Sequence, residues 1–207
     1  MRATNILETI VPKIHVIVGS TRQKRFSEKP AGYIFDELSK KADVACELVD
    51  LRDWPLPFYD EPISSASNKG NYSNELGKKW AAKVGEADGY IMVTPEYNHG
   101  YPAVLKNALD WVFPQWNGKP VGFVGFGNAG GARAIEQLRQ VVIELQMFPI
   151  RNAIHVPAEV YMAVMKESVP VNPALFKPLR EGMRGDRVET FFNELITLAK
   201  TLKAARN

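Results

Sequence analysis

Short runs of apolar, β-branched residues alternate along this chain with longer stretches in which apolar positions recur every three or four residues. The first run, Ile14 to Val18, reads as a buried strand, and Val44 to Leu51, Gly89 to Val93, Val121 to Phe126 and Ile150 to Val156 repeat the signal. Between them lie amphipathic stretches over Lys29 to Lys41, Asn74 to Glu86, Ala103 to Phe113 and Ala132 to Met147, with a closing one over Arg187 to Ala204. The first four are the predicted crossover helices. A connection rich in Pro and Ser runs from Trp54 to Asn74, and no internal repeat or low-complexity tract interrupts the order.

Strands separated by helix-sized connections imply right-handed crossovers and a parallel sheet covered on both faces. The pattern therefore predicts one α/β domain over residues 1–207, a doubly wound five-stranded parallel sheet with helices on both faces. Ligands of such sheets sit beyond the carboxyl ends of the strands, near the switch in strand order. That draws attention to the loops after the first, third and fourth strands.

The first of these loops, Gly19 to Ser27, carries Ser20, Thr21, Arg22, Arg25 and Ser27 directly before a helix. Free N–H groups, hydroxyls and a helix N-terminus make an anion site, and an arginine adds a charge-assisted fork. The loop matches neither a Walker A nor a G-x-G-x-x-G pattern. A solvated basic turn with Ser27 as an N-cap is the other reading.

The second loop, Thr94 to Pro102, combines Pro95, Glu96, Tyr97, Asn98, His99 and Gly100. Prolines restrict its path, Gly100 offers φ > 0 or close approach, and its amides and aromatics suit the edge of a planar ring. A plain strand-to-helix turn with Pro102 near the helix start fits the residues as well. The third loop, Gly125 to Gly131, has four glycines in seven residues, which permits close backbone approach or simply a flexible connection. Together the three suit a mononucleotide with a flat ring.

Composition narrows the class. Apolar residues make up 45% and charged residues 24%, as in soluble globular proteins. A net charge of +3 is too balanced for an electrostatic nucleic-acid binder. The single cysteine, Cys46, excludes an internal disulfide framework and reads as a buried small hydrophobe, and three scattered histidines show no metal cluster. No apolar stretch approaches the ~20 residues of a membrane span. Residues 1–12 look too short and lack the sustained apolar core of a secretory signal, so a reducing, cytoplasmic setting is expected. Trp54, Leu56, Phe58 and Tyr59 gather in one connection, which predicts a homodimer surface there or a lid folded back on the sheet.

The strings G-S-T-R-x-x-R from Gly19, T-P-E-Y-N-x-G-Y-P-A-x-L-K-N-A-x-D-W from Thr94 to Trp111, and W-x-G-K-P from Trp116 resemble the NAD(P)H-dependent FMN reductase and quinone reductase family. So does the glycine-rich loop leading to E-Q-L-R at Glu136, and the resemblance spans about residues 13 to 156. It implies a flavodoxin-like fold and FMN, with NADPH or NADH as donor. Ser20, Arg22, Arg25, Phe26 and Ser27 would lie near the phosphate. Pro95, Glu96, Tyr97, Asn98 and Gly100 would hold the ring edge, with Gly127 on the far side. It also implies homodimers, sometimes paired into tetramers.

Two departures stand out: relatives often have Ser and Asn where Arg25 and Ser27 stand, and a Ser-Tyr-Gly start to the third loop where this chain has Gly125-Phe126-Gly127. The expected chemistry is electron transfer from NAD(P)H to a small acceptor in a ping-pong cycle. No acid or base residue is required, which leaves Glu96 and His99 as loop-shaping groups. An electron carrier or a non-catalytic FMN-binding protein are the alternatives.

Overall fold

The computed structural model of the chain describes residues 10–183 and 185–206, so most of the stretch weighed as a targeting segment lies outside the described residues. Five parallel strands, β1 (Lys13–Val18), β2 (Ala45–Asp50), β3 (Gly89–Pro95), β4 (Pro120–Phe126) and β5 (Phe148–His155), form one sheet in the order β2-β1-β3-β4-β5. That is the flavodoxin-like order, and it reverses direction between β1 and β3. β3 and β4 are buried along their whole length, whereas β2 and β5 at the edges mix exposed and buried positions.

Alternation along β1 divides the core. Ile14, Val16 and Val18 join one cluster with α1 (Glu28–Ser39) and α6 (Arg187–Arg206), while Ile17 faces a second cluster. The second cluster is closed by α2 (Glu75–Gly85), α3 (Ala103–Asp110) and α4 (Ala132–Glu144). Burial of this apolar surface is the dominant stabilising term.

Helix ends differ from the sequence reading for local reasons. α3 stops at Asp110 rather than Phe113, because Phe113 precedes Pro114 and is barred from the helical region. α4 stops at Glu144 because Gln146 turns left-handed at φ 56°. The Met147 N–H then reaches back 2.9 Å to the Val142 carbonyl, a helix-ending pattern. A further helix, α5 (Ala158–Met165), and a small hairpin pairing Glu181–Gly182 with Gly185–Asp186 fill a region the sequence pattern left unassigned.

The aromatic connection after β2 mostly folds back. The Trp54 ring lies 5.1 Å from Trp80 and Tyr59 lies 5.2 Å from Trp111, centroid to centroid. The Trp111 indole N–H donates to the Pro57 carbonyl at 2.6 Å. Phe58 alone of the four named side chains is exposed, at 80%. Cys46 is half-buried, and burial raises its thiol pKa, so it is an unreactive thiol rather than a fully buried one.

Candidate functional site

The three loops converge at the carboxyl end of β1, β3 and β4 around a cavity of about 360 Å³. Arg22, Phe26 and Ser27 line it from the first loop, Pro95, Glu96 and Tyr97 from the second, and Phe126, Gly127 and Asn128 from the third. The fourth side is α5, through Ala158, Tyr161 and Met162.

Ser27 bears on the two readings of the first loop. It stands at the cap position of α1 with helical dihedrals, φ −51° and ψ −34°, and its side chain caps nothing. It is fully buried, and among the described residues its Oγ has no hydrogen-bond partner. A buried hydroxyl without a partner is costly and rare. The residue itself lines a cavity at a helix N-terminus, where N–H groups and the dipole favour an anion. An N-cap role is excluded by its geometry. Arg22 is exposed beside it, its guanidinium 5.9 Å from the centre of the Tyr97 ring.

Arg25 is engaged elsewhere. Its side chain is 3% exposed, forks onto the Asp50 carboxylate at the end of β2, and donates to the Ser20 carbonyl. Burial by itself would raise the Asp50 carboxyl, but the Arg25 guanidinium and the Arg52 N–H outweigh it and hold it below its usual range. Arg25 thus shapes the loop from beneath instead of lining the cavity. Ser20 lies just behind the wall, its hydroxyl hydrogen-bonded to the Tyr97 phenol.

The second loop is fixed by its own backbone. Tyr97 and Gly100 exchange N–H to carbonyl bonds of 2.8 and 3.0 Å, and the Glu96 N–H donates to the Phe126 carbonyl at 2.9 Å. The residues that take positive φ are Asn98 at 51° and His99 at 70°. Gly100 is there for close approach, since an added Cβ would meet the Gln137 Oε1 at 3.0 Å. Asn98 and Gly100 belong to this turn but not to the cavity wall.

The Glu96 carboxylate, 4% exposed, is held by Arg133 of α4, whose Nε donates at 2.6 Å. Burial would raise its carboxyl, yet the Arg133 side chain and amide outweigh that and lower it. Arg133 also reaches His99 at 2.9 Å. Glu96 and His99 are therefore both engaged by Arg133, which ties the second loop to the start of α4 just after the third loop. Gly127 lies across from Glu96 at φ 144°, where an added Cβ would stand 3.1 Å from the Glu96 Cβ. The missing Cβ keeps the two loops close.

A larger open groove of about 1120 Å³ lies between α4, β5, the small hairpin and the start of α6, and His155 on its wall lies 3.0 Å from the Gly130 carbonyl of the third loop. Elsewhere His15, Glu47 and Glu86 bring ligand-type atoms within 4.8 Å of one another, which scattered sequence positions did not reveal. The ammonium groups of Lys13 and Lys83 already sit 2.7 to 2.9 Å from these carboxylates, so the cluster is a closed ion-pair network.

Comparison with known proteins bears on this arrangement. A family model described as NADPH-dependent FMN reductase matches residues 12–160. The chain belongs to that family. An NAD(P)H-dependent FMN reductase of Schizosaccharomyces pombe is 40% identical over 152 residues, 72% of this chain and 76% of its own. A quinone reductase of Pseudomonas putida is 32% identical over 66% of this chain and 73% of its own. Among solved structures, the flavoenzyme NAD(P)H:acceptor oxidoreductase FerB of Paracoccus denitrificans superposes with a TM-score of 0.63 at 24% identity, covering 89% of this chain and 97% of that one. It shares the fold. As an FMN reductase family member the chain is an oxidoreductase that works with FMN and NAD(P)H.

Sequence reasoning missed Asn128, Arg133 and α5. The run Pro157-Ala-Glu-Val-Tyr-Met-Ala-Val-Met165, with its proline just before the helix, carried the signal for α5. No helix among the described residues is long and apolar enough to cross a membrane.

Proposed function

We propose that this single-domain chain binds one FMN in the 360 Å³ cavity and passes electrons from NAD(P)H to a small acceptor such as a quinone or free flavin. The buried Ser27 Oγ at the N-terminus of α1, without a partner among the described residues, carries the reading. Ser27, the first amides of α1 and the exposed Arg22 would hold the phosphate. Tyr97 and the backbone of Pro95 and Glu96 would meet one edge of the ring, with Gly127 opposite. Bound there, FMN would supply the redox chemistry, accepting a hydride equivalent and giving up electrons.

The side chains bind and orient. Glu96 and Arg133 keep the second and third loops at a fixed spacing, and Ser20 with Tyr97 ties the first loop to the second. Phe26 and Phe126, both nearly fully buried, keep water from the floor of the cavity. Nothing demands an acid or base, since Glu96 and His99 are both engaged by Arg133. Donor and acceptor would use the one open face in turn, which is a ping-pong order.

We further propose a homodimer, or a tetramer of two such pairs, with the exposed Phe58 in the contact and the protein in the cytoplasm, its one thiol reduced. Light scattering of the wild type at micromolar concentration tests the assembly, and a monomer would overturn it. For the activity, the purified protein should be yellow. Heat should release FMN, and NADPH or NADH should bleach the spectrum anaerobically, with colour returning on addition of a quinone. Release of FAD, or no bleaching by either nicotinamide, would refute the proposal.

A further inference from the structure

Three sides of the cavity are made by the loops, and the fourth by α5. This helix follows β5 at the edge of the sheet and returns across the strand ends to the first loop. There the Tyr161 ring packs 4.5 Å from Phe26 and 6.4 Å from Phe126, the latter nearly parallel. Val160 and Val164 anchor the opposite side of the helix in the core.

Its far end is pinned from α1. The Lys29 ammonium donates to the carbonyls of Val164, Met165 and Glu167 at 2.8, 3.3 and 2.7 Å. A cation on the last carbonyls of a helix satisfies orphan acceptors and opposes the dipole. α5 is thereby held over the cavity by the first turn of the helix that begins at the phosphate loop.

Met162 lies on the cavity rim and is 59% exposed. The Tyr161 hydroxyl has no hydrogen-bond partner among the described residues, although its ring is fixed. Ring face and thioether both favour flat, polarisable, uncharged groups.

We propose that α5 is the acceptor-selecting wall of the site, with Tyr161 and Met162 forming a shelf on which a neutral planar quinone stacks. Lys29 is the positioning residue that holds the shelf in place. This deepens the reading of the site as an FMN-dependent reductase and rests on it. The net reaction served is NAD(P)H, a proton and a quinone giving NAD(P)⁺ and a hydroquinone. The quinone gains two electrons and two protons, one as the hydride equivalent of the nicotinamide and one from solvent.

The test compares wild-type holoprotein with Met162→Ala and Lys29→Met, using 1,4-naphthoquinone and ferricyanide as acceptors. Met162→Ala should raise KM for the quinone ~5- to 10-fold, the loss of one thioether–ring contact. The dissociation constant of naphthohydroquinone from oxidised holoprotein, read from the flavin spectrum, should rise by the same factor. Lys29→Met, whose side chain lies outside the cavity, should reproduce the rise in quinone KM while its ferricyanide kinetics and the FMN affinity of its apoprotein, read by flavin fluorescence, stay unchanged. Unchanged quinone KM and hydroquinone affinity in Met162→Ala would overturn the wall, as would an equal loss with ferricyanide or a loss of FMN affinity in Lys29→Met. A wild type that holds no FMN or oxidises neither nicotinamide would instead sink the underlying reductase reading.

Discussion

The Ser20 hydroxyl lies 3.0 Å from the phenol oxygen of Tyr97, so a side chain from the loop after β1 is bonded to one from the loop after β3. The bond crosses the point where strand order reverses, where the phosphate and ring ends of a mononucleotide would meet. Tyr97→Phe keeps the ring and removes the bond. We expect FMN affinity to fall by about 0.5–1.5 kcal/mol, or ~2- to 12-fold. Fluorescence titration of the apoprotein checks this, and an unchanged dissociation constant would show the tie to be incidental.

Ser27 separates ligand binding from folding. Its Oγ bonds nothing among the described residues, so Ser27→Ala should leave the thermal midpoint unchanged or slightly raised. The same variant should lose about 1.5–3 kcal/mol of FMN affinity, ~10- to 150-fold, as expected for a hydrogen bond to a charged group. Riboflavin, which lacks the phosphate, should bind both proteins alike. Equal weakening of the two ligands would argue against a phosphate at Ser27.

The two arginines of the first loop should behave differently. Arg22 is exposed and its loss should spare stability while weakening FMN, again ~10- to 150-fold. Arg25 pairs with Asp50 below the loop, and Arg25→Met would strand that carboxylate at a cost of about 3 kcal/mol. Chemical denaturation of both variants beside FMN titration distinguishes the roles. An Arg25→Met protein of wild-type stability would contradict the assignment.

Gly127 and Gly100 form a similar contrast. A side chain at Gly127 meets an unfavourable φ of 144° and the Glu96 Cβ, so Gly127→Ala should cost about 1–3 kcal/mol and FMN affinity with it. At Gly100 the nearest obstacle is the tip of the flexible Gln137 side chain, and Gly100→Ala should stay within about 1 kcal/mol of wild type. Thermal midpoints in the reverse order would show that the closeness of the second and third loops is not what Gly127 provides.

His15 makes the fold sensitive to acid. Burial lowers its pKa from 6.5 to about 4, partly offset by Glu47 and Glu86. The folded state therefore favours the neutral ring. Its contribution is complete above pH 6.5 and drains away as the pH falls toward 4, by about 3 kcal/mol in all. His15→Phe keeps an aromatic group against Tyr90 and should flatten stability across that window. Urea denaturation at pH 7 and pH 5 measures it, and equal losses in the two proteins would assign the sensitivity to other groups.

The sheet was legible because buried strands and amphipathic helices differ in period, and each boundary lay within a few residues of the observed one. The three loops were legible because glycine, proline and hydroxyl residues clustered at strand ends. Individual roles were not. Arg22 and Arg25 look alike in sequence, and only the position of Asp50 at the end of β2 separates them. Gly100 was expected to supply either positive φ or close approach; it supplies the close approach, and the positive φ falls on Asn98 and His99. α5 was missed because Tyr161 and Met162 act across the sheet, toward residues more than a hundred positions earlier.

The Glu96–Arg133 pair ties the second loop to the start of α4 through groups that belong wholly to the chain. Nothing in that joint waits for a cofactor. Binding should then resemble docking into a finished receptor, with a heat-capacity change set by the buried ligand alone and none from ordering of the chain.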